Sequence, residues 1–100
     1  MSQPSPELTV EPDELVEALP EPPAPWSRTV DDGGIVEYRI AGEDGICAAA
    51  KLLVRPELFE ASAVRVDRTQ GCQSVGTTRH DDIADAVEAV TRELAAGSTA

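Results

Sequence analysis

Few residues of this chain could do chemistry. Cys47, Cys72 and a single histidine, His80, are the soft ligands and nucleophiles, and the acid pair Asp81-Asp82 follows the histidine directly. Zinc takes four ligands at recognisable spacing. There is no C-x-x-C here and no second histidine, so a mixed site of Cys47, Cys72, His80 and one aspartate can be drawn, but the spacing does not call for it. A Cys–His nucleophile needs the two groups in contact and a third group to orient the base. Cys72 and His80 lie eight residues apart across an expected strand-to-helix junction, and no third group is marked. Asp81-Asp82 suits the positive end of a helix better than general acid–base work. Gly33-Gly34 and Gly71 sit in turn contexts, with no phosphate-cradling loop around them. The chain therefore reads as a non-enzyme, with no cofactor and no metal.

A second set of residues is more suggestive. Arg39, Lys51, Arg55 and Arg65 fall at alternate positions of expected strands, with Leu53, Glu37 and Asp67 among them. Period-two alternation would put all of these on one sheet face. Cys47, Ala49 and, less clearly, Val75 would share it. Small apolar residues mixed with arginine suit a protein interface. A basic open sheet face can also grip single-stranded nucleic acid, but there aromatics usually stack on the bases. No aromatic is expected on this face. The structural alternative is plain cross-strand ion pairing on a solvated surface.

The totals narrow the class. The net charge is -11, and the only aromatics are Trp26, Tyr38 and Phe59. One hundred residues allow one domain at most, with a thin core of Val, Ile, Leu and Ala. Glu7, Glu11, Asp13, Glu14, Glu17 and Glu21 give residues 1–25 only negative charge, which leaves 13 acids against 8 bases for residues 26–100. Charge of this sign repels nucleic acid and anionic membrane at long range. Lys51 is the single lysine beside seven arginines. Abundant acid, scarce lysine and few aromatics give a halophilic composition, although a GC-rich bacterial genome would produce a similar one. Two cysteines are too few for a disulfide framework. No signal peptide and no apolar run of membrane-spanning length is visible. The expected setting is cytoplasmic, with reduced thiols and no membrane.

These residues need a scaffold, and its anchor is the run Asp81–Ala96. Ile83, Ala86, Val87, Val90 and Leu94 follow helical spacing, with Thr78 or Asp81 as start and Gly97 as a left-handed stop. Upstream, strands are expected over 27–30, 35–41, 46–55, 63–69 and 72–77. Asp31–Gly34, Gly42–Gly45 and Gln70-Gly71 are their turns. The connection after Pro56 should tuck Leu58 and Phe59 under the sheet. Residues 1–25 hold all the prolines but Pro56 and read as a disordered acidic tail. Glu11–Leu19 is an island in it that could fold onto a partner or back onto the domain.

The resulting fold class is α+β: an antiparallel meander of four or five strands with one C-terminal helix on one face. The domain should span residues 26–97, with 98–100 disordered. The expected role is a small interaction or regulatory module that works through a homodimer or a protein partner. Arg39, Lys51, Leu53, Arg55 and Arg65 would form its partner-binding face. A nucleic-acid-associated module using the same arginines is the less favoured reading.

Overall fold

The computed structural model describes residues 12–43, 45–57 and 63–98. Helix α1 (Pro12–Ala18) is followed by strands β1 (Ser27–Val30), β2 (Val36–Ile40), β3 (Ala50–Pro56), β4 (Val64–Gln70) and β5 (Gln73–His80), then by helix α2 (Ile83–Ser98). The strands form one sheet in the order β1-β2-β3-β4-β5. Every neighbouring pair is antiparallel. The meander with its C-terminal helix is as expected, with the five-strand alternative realised.

Alternation builds the core. Val36 and Tyr38 of β2, Leu52 and Val54 of β3, and Val64 and Val66 of β4 are all buried. The register sets Val36, Val54, Val66 and Thr78 side by side in one row. Onto this face α2 lays Ala86, Val90 and Leu94, which are buried, while Ile83 and Val87 are only partly so. The stripe is thus centred on 86, 90 and 94, one step round from Val87. Asp82 caps the helix by accepting a hydrogen bond from the Asp85 amide at 2.9 Å. Thr78 and Asp81, which the sequence suggests for that role, do not fill it, and Thr78 still belongs to β5. Gly97 lies inside α2, and the positive-φ glycines are Gly34, Gly45 and Gly71. It is therefore not the expected left-handed stop.

The largest correction concerns the N-terminal segment. Residues 1–11 lie outside the described residues, but 12–25 are part of the domain. Helix α1 buries Leu15 completely and is followed by buried Leu19, both within the same core as α2. The spacing of Leu15, Val16 and Leu19 gives α1 its apolar side, and a core this short of aromatics benefits from two more leucines. Beyond α1 the chain is tied down by polar contacts. The Tyr38 hydroxyl donates to the Pro20 carbonyl at 2.5 Å. The Trp26 indole donates to the Leu94 carbonyl at 3.0 Å, which links the start of the sheet to the end of α2. Burial pushes the Tyr38 phenol above its ordinary range, and the neighbouring Arg28 only partly opposes that.

Strand β3 begins at Ala50, four residues later than alternation suggested. Residues 41–43 and 45–49 instead belong to a loop closed by the Ala49 amide on the Ile40 carbonyl at 2.8 Å. Within it a Cβ at position 42 would collide with the Cys47 carbonyl, so glycine is required there. Leu58 and Phe59 lie outside the described residues. Among the described residues no helix is long and apolar enough to cross a membrane.

Candidate interaction face

Both helices pack on one side of the sheet. Among the described residues no helix packs on the other side, called the bare face below, and the register fixes what it carries. One row sets Arg55 opposite Arg65 and Arg65 opposite Arg79. The next sets Glu37, Leu53, Asp67 and Thr77 in line. A third sets Arg39, Lys51 and Thr69 in line. Arg39, Lys51, Leu53, Arg55 and Arg65 therefore share one face, as alternation predicts. Arg79 joins them. It was missed because the last strand was expected to end at Thr77, whereas β5 runs on to His80. Cys47 and Ala49 precede β3 and are not part of this face. Val75 sits where the β4–β5 register shifts and borders a recess with Trp26 and Leu52, which are core residues.

Like charges directly opposite one another are destabilising. Asp67 relieves this for the arginine row. Its carboxylate lies 3.1 Å from Arg65 Nε and 3.4 Å from Arg55 Nη2. It also accepts a hydrogen bond from the Thr77 hydroxyl at 2.6 Å. Burial alone would raise the Asp67 pKa, but the Thr77 and Arg65 hydrogen bonds and the charges of Arg65 and Arg55 outweigh it. The carboxyl is held below the usual range. Arg79 turns to Glu57 at 3.4 Å. Arg39 and Lys51 make no side-chain ion pair among the described residues. The arginine row is thus partly neutralised, and the Arg39–Lys51 row is the uncompensated part.

The residues considered for chemistry are scattered. Cys72 precedes β5 and His80 ends it, so the strand itself holds them roughly 25 Å apart at about 3.3 Å per residue. His80 Nε2 pairs with the Thr78 hydroxyl at 3.0 Å. Among the described residues no group of three or more His, Cys, Asp or Glu could hold a metal. Cys47 and Cys72, expected as separate reduced thiols, are joined in a disulfide with a Cα–Cα separation of 5.3 Å. The β2–β3 and β4–β5 connections of a meander lie at the same end of the sheet. That topology brings the two cysteines together, and it was available from the strand order.

No protein-family model, no curated protein and no solved structure matches this chain.

Proposed function

We propose that this chain is a non-enzymatic binding module whose bare sheet face docks an acidic segment of a protein partner. The observation that carries the reading is the charge of that face. A chain of net charge -11 gathers Arg39, Lys51, Arg55, Arg65 and Arg79 on one surface, around Leu53. A face of opposite sign to the rest of the molecule steers a complementary partner into one orientation. Of the two readings offered by the sequence, a protein partner fits better than a homodimer. Stacked on a copy of itself with strands aligned in either sense, the face would lay cation rows on cation rows. Nucleic acid fits less well, because Tyr38 is buried on the opposite side and Trp26 lies against α2. A cytoplasmic setting in a salt-loving organism remains part of the proposal. There the Cys47–Cys72 link would exchange with its dithiol form.

Labelled decaglutamate and decathymidylate are suitable probes, compared by anisotropy at about 50 mM and 0.5 M salt. Decaglutamate should bind at the lower salt, and the double substitution Arg39→Glu, Lys51→Glu should weaken it about tenfold or more. Arg92→Glu, on the solvent side of α2, serves as the control and should change binding little. A free-energy loss in Arg92→Glu of about half that in the double variant, in proportion to the charge changed, would mean a general charge effect and would refute the face. Tighter, face-dependent binding of decathymidylate would replace the protein reading with the nucleic-acid one.

A further inference from the structure

Arg68 interrupts the apolar side of β4. Val64 and Val66 precede it on the covered face and are buried, and Arg68 follows opposite Leu52 and Gly76. Its Nη1 donates to Glu93 Oε2 on α2 at 2.9 Å. Its Nε is buried without a hydrogen-bond partner, a costly state for a guanidinium N–H. The sheet makes room for this side chain. A Cβ at position 76 would lie 2.7 Å from Arg68 Nη2, and the register shift beside it turns Val75 out, leaving it 55% exposed. Arg68 thereby borders an open recess of about 370 Å³ whose walls include Trp26, Leu52 and Val75.

We propose that this recess binds a small monocarboxylate with an aromatic or branched apolar body. The guanidinium fork matches a carboxylate in plane and spacing. Glu93 already shows which anion Arg68 holds there. Its side chain is 38% exposed and can leave for solvent. The incoming carboxylate takes its place on Nη1. The apolar body lies against Trp26, Leu52 and Val75. The volume falls within the range of small-ligand sites. Lys51 and Thr69, from the row that carries Arg39, also line the recess, so it borders the basic face at the edge of the covered side.

Trp26 is the only tryptophan and reports directly from the recess wall. Its fluorescence is followed during titration with phenylacetate at constant ionic strength, with the uncharged amide phenylacetamide as control. Saturation in about the millimolar range is expected for phenylacetate, in keeping with so small a ligand, and much weaker binding for the amide. Glu93→Gln removes the internal competitor and should tighten phenylacetate about two- to fivefold. Arg68→Met should abolish binding. If that variant does not fold, Arg68→Lys keeps the charge without the fork and should weaken binding about tenfold. No saturable change with phenylacetate, an equal response to the amide, or no gain in Glu93→Gln would each overturn the proposal.

Discussion

The two faces of this sheet are made by the same strands and differ by one residue of phase. Leu52 points to the helices and is 3% exposed, whereas its neighbour Leu53 sits among charges and is only half-buried. On one side Val36, Tyr38, Val54, Val64 and Val66 close over buried α1 and α2 residues. On the other, the same strands set out arginines, a lysine and a few acids. The lesson is that the positions that hold the fold together and those proposed for recognition alternate along the same strands. The covered face holds the fold together, so the bare face is free to carry charge that the fold does not need. Each of the following measurements sharpens or breaks that separation.

The largest effect should come from the pair of neighbouring leucines. Leu52→Ala opens a cavity in a core that cannot easily collapse and should cost about 2–5 kcal/mol. Leu53→Ala should cost under about 1 kcal/mol. Urea unfolding of both variants checks this, and similar losses would show that the bare face is buried after all. Next comes the Cys47–Cys72 link. It closes a separation of 25 residues, for which the chain-entropy model gives about 3.5 kcal/mol. Melting with and without a dithiol reductant should show a loss of that order, with the sheet retained by circular dichroism.

A smaller effect is expected at Asp67. Its folded pKa is depressed, so its stabilisation is fully present above the ordinary carboxylate range. It is lost as the pH falls through the folded-state value. Asp67→Asn should cost about 1 kcal/mol near neutrality, and the difference from wild type should shrink in acid. A gap that persists unchanged at low pH would contradict the ion-pair account of the arginine row. The smallest effect is salt. With a net charge of -11, the melting temperature should rise between about 0.1 and 1 M KCl, as the Debye length falls from about 10 to 3 Å. A flat or falling curve would remove the self-repulsion argument.

Much of this was legible in the residue pattern, and the failures have physical causes. Alternation placed Arg39, Lys51, Leu53, Arg55 and Arg65 correctly because period two is exact wherever a strand is regular. It failed at Cys47 and Ala49, where a glycine-dependent loop replaces the expected strand start. Proline content made residues 1–25 read as a disordered tail, yet the leucine spacing within Glu11–Leu19 marked an island, and of its two alternatives folding back onto the domain is the one realised. Alternation from Val64 and Val66 already puts Arg68 on the covered face, but its partner Glu93, 25 residues away on another element, could not be read from the pattern. Arg79 was lost to an uncertain strand end.

The central claim is that the bare face, and not the molecule's charge at large, recognises acidic protein segments. Amide chemical-shift mapping with unlabelled decaglutamate at low salt tests it most directly. The account predicts saturable shifts at Arg39, Lys51, Leu53, Arg55, Arg65 and Arg79, with α1 and α2 unmoved. Shifts spread evenly over all arginines, Arg92 included, or confined to the helical side, would contradict it.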